Sequence, residues 1–350
     1  MDKVFIAGGT GMLGAEAARA FARAGTQVVV SSRKDHDPIG DLLQSESDLI
    51  SVEKVDLGDL PSLQALFKKQ QFTGMVITAH THQYAQTRDK NNEMYSILIN
   101  CLETARKSGV KRVVMAGSVA VYGGLTPPFT EAATFPPEVV AANPQEEAVM
   151  LKFEVATKRA IEIIALDYGQ NFQMGLSVPP GTIKPEPHEL EVVVLRAPLM
   201  FGPGYQALGS PLGIAAHVVA GKVPAFKGYL AYGGVPVEHL WAGLAAIPVN
   251  YVKDNAQCIQ IAMSADHLAH HIYNISSGFS VSPRDQLQAL LNVSPEAADR
   301  IGLTTDELPE APVDLGFNGD LFAQDFGWRS PYTLESALGD YLDWLKDHPF

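Results

Sequence analysis

Ala7-Gly8-Gly9-Thr10-Gly11-Met12-Leu13-Gly14 stands between an apolar run, Val4-Phe5-Ile6-Ala7, and an Ala-rich stretch with helical spacing, Leu13 to Ala24. Glycine permits a tight turn, close approach of the backbone to an anion, and close packing of helix on strand. The helix that follows presents free N–H groups and partial positive charge at its first turn. A second β-branched run, Val28-Val29-Val30 within Gln27 to Ser31, comes next. Strand, glycine turn, helix and strand in this order predict a phosphate-binding unit, with Gly9-x-Gly11-x-x-Gly14 as the dinucleotide spacing.

The same alternation continues along the chain. Strands are predicted at Ile50 to Val55, Gly74 to Thr78 and Lys111 to Ala116, with helices at Leu60 to Gln70 and Asn92 to Ser108. Continuous apolar strands between amphipathic helices predict a doubly wound α/β fold with a parallel sheet covered on both faces. Beyond Tyr122 the rhythm loosens. Pro127, Pro128, Pro136, Pro137 and Pro144 forbid a long helix between Gly123 and Pro144. A helix is expected at Glu146 to Tyr168, an exposed Pro/Gly-rich insertion at Ser177 to Glu189, and a strand at Glu191 to Leu195. Helices are also expected at Glu238 to Asn250 and Thr333 to Lys346, a strand at Ile272 to Ile275, and surface structure at Asn292 to Asp320. The expected organisation is a Rossmann domain over residues 1–175, its sheet completed near 191–196 and 271–275. A smaller C-terminal substrate domain would take 197–270 and 276–350.

The chain has 350 residues, 39 of them acidic against 26 Lys plus Arg, for a formal net charge of −13. Such a surface repels phosphate backbones, and no basic patch offsets it, so nucleic acid is not expected as a partner. No apolar run approaches the roughly 20 residues of a membrane span. Cys101 and Cys258 are too few for a disulfide framework and fit a reducing compartment. Met1-Asp2-Lys3 leads straight into the first apolar run without a signal-peptide layout. A cytoplasmic protein is the expectation.

The end of the second strand selects the cofactor. An acidic residue there would bind the adenosine ribose of NAD. This chain has Ser31-Ser32-Arg33-Lys34, two small hydroxyls and a guanidinium able to grip a 2′-phosphate. NADP is therefore expected over NAD, although Asp35 and Asp37 nearby weaken the basic field.

Further segments resemble those of the extended short-chain dehydrogenase/reductase superfamily, which includes the NAD-dependent epimerases and dehydratases. Gly8-x-x-Gly11-x-x-Gly14 is its glycine spacing. Asp56-Leu57-x-Asp59 resembles its adenine-contacting turn, and Gly74 to His80 the strand whose tail lies along the cofactor. Ser118-x-x-Val121-Tyr122-Gly123 resembles its active-site serine segment. Leu195-Arg196-Ala197-Pro198 with Phe201-Gly202-Pro203-Gly204 resembles a later one, as do Tyr273-Asn274-Ile275, Phe326-Gly327-Trp328 and Thr333-Leu334-Glu335. The resemblance implies cofactor contacts at Gly8, Thr10, Gly11, Met12, Leu13, Gly14, Ser32, Arg33, Asp56, Leu57, Ala79, His80, Lys158 and Pro198. It implies that Ser118 orients a substrate oxygen and that Lys158 holds the nicotinamide ribose.

In that superfamily a tyrosine four residues before the lysine is the general acid/base, its proton loosened by the ammonium. Here that position is Glu154. A glutamate beside a lysine is expected to be ionised, able to accept a proton but not readily to donate one. Three readings stand open. Glu154 is a carboxylate base for epimerisation, dehydration or isomerisation; or Tyr122, or Tyr84, supplies a phenol; or Glu154 and Lys158 form an i,i+4 ion pair worth only about 0.2–0.5 kcal/mol. Met94 also stands where the superfamily has an asparagine, with Asn91 and Asn92 just before it.

His267, His270 and His271 have metal-like helical spacing but lack carboxylate or thiolate partners beyond Asp266, so no metal is expected. His80 and His82 follow a strand end at the cofactor edge; His239 reads as structural. No G-x-S-x-G elbow supports a serine hydrolase. The expected activity is an NADP-dependent oxidoreductase, or an epimerase/dehydratase-like enzyme, acting on a small hydroxylated or carbonyl compound such as a sugar derivative. A catalytically silent NADP-binding sensor or scaffold is the alternative, and a homodimer is one assembly it could form.

Overall fold

The computed structural model describes residues 3–80, 87–136, 138–140, 152–169, 190–204, 210–222, 248–279, 282–301, 304–308 and 315–348. The expected insertion at Ser177 to Glu189, together with His82, Tyr84 and His239, lies outside them. The chain divides into two compact units. The first comprises Met1–Val121, Leu151–Arg196 and Gln257–Tyr273; the second comprises Tyr122–Met150, Ala197–Ala256 and Asn274–Phe350.

The first unit is the doubly wound α/β domain. Its strands are β1 (Lys3–Ala7), β2 (Gln27–Ser32), β3 (Ile50–Lys54), β4 (Gly74–Ile77), β5 (Arg112–Ser118), β6 (Glu191–Ala197) and β9 (Ile272–Asn274). They form a seven-stranded sheet in the order β3-β2-β1-β4-β5-β6-β9. Val4 pairs with Val28 on one side and Gly74 on the other, both in parallel register. The winding direction therefore reverses between β1 and β4, which opens a crevice at their carboxyl ends. Helices α1 (Met12–Arg23), α2 (Pro38–Glu46), α3 (Leu60–Lys69), α4 (Arg88–Lys107) and α5 (Lys152–Tyr168) connect the strands. Val28, Val29 and Val30 are at most 1% exposed, as a strand covered on both faces requires. Phe5, Phe67 and Phe72 meet at centroid distances of 4.5–5.4 Å beneath the sheet.

Helix α2 escapes the apolar-periodicity reading, and so do α6 (Pro211–Val219), α7 (Val252–Ser264) and α8 (Pro283–Val293). Three of these four carry a local start signal. Asp37-Pro38, Ser210-Pro211 and Ser282-Pro283 each place a side-chain cap directly before proline in the first turn, and each cap oxygen accepts a backbone N–H. The helix expected over Glu238 to Asn250 is described only at its end, where Val249–Tyr251 is strand β8 rather than helix. It pairs in parallel with β7 (Leu199–Phe201), and Val249, Asn250 and Tyr251 are all buried, which suits a strand enclosed on both faces.

Residues 257–273 lie with the first unit because their carbonyls are held there. Arg112 Nη1 donates to the carbonyls of Ala262, Met263 and Ala265, ending α7, while its Nε donates to Glu191. Among the described residues no helix is long and apolar enough to cross a membrane.

The second unit has its own core. Phe201, Leu212, Tyr251, Leu287, Leu338 and Tyr341 are each completely buried in it, with α8 and α11 (Leu334–Asp347) packed together. The segment α9 (Ala297–Ile301) and the helix α10 (Asp320–Phe326) complete its described helices. His217 on α6 is 5% exposed, its Nε2 meets no hydrogen-bond donor or acceptor among the described residues, and its ring lies 5.8 Å from that of Tyr341. Burial, aided by the charge of Lys222, pushes the imidazole down to about 4. The unfolded chain therefore binds a proton that the folded chain refuses, so stability present above pH about 6.5 drains away as pH falls towards about 4. The loss through this one group is about 3 kcal/mol. Guanidinium midpoints measured at neutral pH and near pH 4.5 should diverge in the wild type. In His217→Phe most of that divergence should vanish; an unchanged pH dependence would show that other groups carry it.

Candidate active site

At the crevice, chain path and steric clearance explain each glycine that matters. Gly8 has φ +83°, and a Cβ there would lie 2.6 Å from the Ala79 nitrogen. A Cβ on Gly9 would collide with the Val30 side chain, and one on Gly14 with the Gly8 carbonyl oxygen. Gly11 occupies the N-cap of α1 in extended conformation, donates its N–H to Gly8 O at 3.1 Å and brings no capping side chain. Helix, turn and neighbouring strand thus approach within backbone contact, and the first turn of α1 faces the crevice end of β1. A pyrophosphate suits this cradle: small residues at the positions of closest approach, with a helix N-terminus behind them.

The turn is tied from both sides. Gly8 N–H donates to Ser31 Oγ at 2.9 Å, and Thr78 Oγ1 donates to the carbonyls of Ala7 and Gly8 at 3.0 and 3.2 Å. Ser32 Oγ donates to Asp37 Oδ2 at 2.9 Å and accepts the Lys34 N–H at 3.1 Å. Both serine hydroxyls, each on a residue 4% exposed, therefore brace neighbouring chain. Arg33 and Lys34 are exposed, and Asp35 pairs with Lys54 at 2.6 Å. No sequence pattern distinguishes Ser31, which holds the glycine turn, from Ser32, which holds the cap of α2.

After β3, Asp56 is exposed and accepts the Gly58 N–H at 2.9 Å, while Leu57 is buried. Asn100 of α4 donates to the carbonyls of Leu57 and Gly58, both at 3.0 Å, and so fixes this turn from the helix. No local signal marks Asn100, because its partners lie more than forty residues away. Met94, one and a half turns earlier, is 3% exposed and packs into the first unit's core. Ala79 backs Gly8, His80 is exposed, and Pro198 is buried in the second unit.

Ser118 ends β5, half-buried, and its Oγ accepts the Ala120 N–H at 3.1 Å across the single 3-10 turn Val119–Tyr122. Helix α5 packs against β5 and carries Glu154, Lys158 and Glu162 at four-residue spacing, on one face. Glu154 and Lys158 are half-buried. Burial pushes the Lys158 ammonium below its ordinary range, and the Glu154 charge opposes that shift. One turn further, Glu162 and Arg196 of β6 form a bidentate ion pair at 2.5 and 3.0 Å with both side chains at most 4% exposed. Arg159, next to Lys158, donates from Nε to Val121 O at 2.9 Å. Neither of these arginine contacts is legible in the sequence.

Tyr122 has a different setting. Its side chain is fully buried within the second unit, stacked on Phe129 at 5.0 Å, with its hydroxyl 2.7 Å from Asn274 Oδ1 and 3.1 Å from Thr130 O. Asn274 in turn donates from its side chain to Phe129 O at 2.9 Å and from its backbone N–H to Glu131 at 2.8 Å. This packing draws the Pro-rich stretch after Tyr122 into the second unit. His271 Nδ1 meets Val192 O at 2.9 Å, and the described residues contain no cluster of His, Cys, Asp or Glu able to hold a metal ion.

A family model described as the NAD dependent epimerase/dehydratase family matches residues 4–276. UDP-glucose 4-epimerase of Mus musculus is 26% identical over 382 residues, covering 100% of this chain and 98% of that protein. The enzyme of the same description from Homo sapiens is 22% identical, covering 99% and 97%. Among solved structures, UDP-glucose-4-epimerase from Stenotrophomonas maltophila, with bound NAD and formylated UDP-arabinopyranose, superimposes with TM-score 0.71 at 17% identity, covering 99% of this chain and 98% of that one. The Thermus thermophilus UDP-glucose 4-epimerase complex with NAD gives TM-score 0.63 at 19% identity, covering 99% of each chain. These structural likenesses speak for the fold.

Proposed function

This chain belongs to the NAD-dependent epimerase/dehydratase family, and we propose that it carries out a closed redox cycle, epimerisation or dehydration, on a sugar nucleotide. The observation that carries the reading is Glu154, one helical turn before Lys158 on α5, where the superfamily resemblance leads one to expect tyrosine. A nicotinamide dinucleotide bound at the Gly8–Gly14 turn would supply the hydride acceptor and donor. Gly8, Thr10, Gly11, Met12, Leu13 and Gly14 would hold its pyrophosphate, Asp56 and Leu57 would contact its adenine, and Ala79 and His80 would contact the cofactor beyond it. Lys158 would bind the nicotinamide ribose.

Ser118 hydrogen-bonds the substrate hydroxyl and fixes its direction. In epimerisation Glu154 takes the proton of that hydroxyl as its carbon is oxidised, and returns it to the same oxygen as the carbon is reduced again; in dehydration the carbon stays a ketone and the proton leaves with the water lost. The proton balance closes within one turnover. A net carbonyl reduction would instead need a fresh proton delivered to Glu154 in every turnover. Burial lowers the proton affinity of Lys158, and the Glu154 charge opposes that lowering in part. Tyr122 takes no part in proton transfer, since its hydroxyl is engaged by Asn274 and Thr130.

The mouse relative makes UDP-glucose the first substrate to try. Purified protein given dinucleotide and UDP-glucose is expected to form the 4-epimer with no net accumulation of reduced cofactor. Dinucleotide binding without exchange on any of a panel of sugar nucleotides would overturn the reading and leave a silent binding protein. For the cofactor we propose NADP, on the exposed Arg33 and Lys34 and the lack of a carboxylate at the end of β2 itself. Asp37, hydrogen-bonded to Ser32, works against it. Arg33→Ala should weaken NADPH binding roughly tenfold while leaving NADH within about twofold, the loss of one charge-assisted contact. Tighter binding of NADH, indifferent to Arg33→Ala, would reverse the assignment.

A further inference from the structure

We infer that Arg159 is a positioning residue: it struts the turn after Ser118 against the helix that carries Lys158, holding the two groups at a set spacing. The inference rests on the epimerase or dehydratase reading of that site.

Two hydrogen bonds and one chain adjacency define the strut. Ser118 Oγ accepts the Ala120 N–H at 3.1 Å, so the direction of the serine hydroxyl follows the orientation of the Val119–Tyr122 turn. The carbonyl of Val121, inside that turn, accepts from Arg159 Nε at 2.9 Å. Arg159 follows Lys158 directly on α5, so any shift of the helix that moves the ammonium also moves the strut.

Glu162, one turn further on, ties α5 to Arg196 of β6 rather than to the serine turn. Val155, Ile161, Ala165 and Leu166 are buried, but apolar packing is non-directional and tolerates small sliding along the helix axis. A hydrogen bond to a carbonyl weakens steeply when its angle or length is lost, so it fixes the helix against the turn. The residue type is also telling. Arg159 is 6% exposed, and an apolar residue of similar volume would fill such a place at lower desolvation penalty than a guanidinium. Retaining the charge there is explained by the directional bond it makes to the serine turn. Misplacement of reacting groups by about 1 Å costs on the order of 100-fold in rate, so a strut between the substrate-orienting group and the ribose-binding group acts on turnover more than on affinity.

The test compares Arg159→Met, which keeps length and loses the donor, with Arg159→Lys, which keeps a donor of different geometry. With UDP-glucose as substrate, Arg159→Met should lower kcat roughly 10- to 100-fold and move KM by less than about threefold. Arg159→Lys should recover part of the lost kcat, and binding of NADPH should stay within about threefold in both. A residue that merely packs would lower the melting temperature and leave kcat and KM of the folded protein unchanged. That outcome in Arg159→Met overturns the inference. If Arg159→Met does not fold, Arg159→Lys is judged by the same criterion. A wild-type protein that binds NADPH but epimerises no sugar nucleotide overturns the functional reading instead. The strut is then read from the fluorescence of bound NADPH: a changed emission in the variants supports it, and spectra identical to wild type overturn it.

Discussion

Glu154→Gln should lower turnover by roughly 100- to 10,000-fold, the usual contribution of a positioned acid/base, while NADPH binding and folding persist. The carboxamide matches the carboxylate in shape but takes no proton. Removing the charge has a second effect through Lys158: Glu154 opposes the burial that lowers the Lys158 proton affinity, so without it the ammonium falls further below its ordinary range. The alkaline limb of the pH–rate profile should therefore move to lower pH in the residual activity. Retention of kcat within twofold would reduce Glu154 and Lys158 to a helix-surface ion pair, worth only about 0.2–0.5 kcal/mol. Glu154→Tyr supplies the complementary result. A phenol beside Lys158 is an acid at the start of turnover, so this variant should gain net reduction of aldehydes or ketones by NADPH. Failure to gain it, in a protein that still binds NADPH, would mean that the Lys158 face of α5 does not meet the substrate.

The second large effect is on stability. Glu162 and Arg196 join α5 to β6 through two hydrogen bonds inside the first unit, with side chains 4% and 2% exposed. Breaking such a pair from one side strands a buried charge, at about 3–5 kcal/mol. Glu162→Gln and Arg196→Met should each lower the unfolding free energy, read from denaturant titration, by that amount. The double replacement Glu162→Leu with Arg196→Met should return most of it, because an apolar pair leaves no charge stranded. Equal loss in the double variant would assign the effect to packing volume rather than to charge. Because α5 also bears Lys158, turnover in the double variant reports separately whether the ion pair aligns the helix.

Much of the first unit is written in short-range patterns. Val4 to Ala7 and Val28 to Val30 reveal themselves as strands by unbroken apolar runs, and the Gly8 to Gly14 turn by residues that alone fit where backbones meet. The capped prolines at Pro38, Pro211 and Pro283 are equally local signals, and they mark helices that apolar periodicity overlooks. Pro38 to Glu46 buries only Ile39, Gly40 and Leu43, and Val252 to Ser264 buries the polar Asp254 and Asn255 beside its apolar residues, so neither shows a clean apolar stripe.

By itself the sequence determined the doubly wound class and the glycine turn, because each depends on residues within one or two turns of chain; Glu154 at the place of the tyrosine rests on the family resemblance. Tertiary structure alone decided which polar groups meet. Arg196 finds Glu162 across 34 residues, Arg159 finds Val121 across 38, and Tyr122 finds Asn274 across 152. No local pattern encodes such pairings: once a side chain leaves water, its partner is whichever group the packed elements bring within hydrogen-bond reach. That is why Tyr122, a candidate proton donor on paper, has its hydroxyl held by Asn274 and Thr130 in the fold, while Arg159, the neighbour of Lys158 in the chain, stands beside the serine turn.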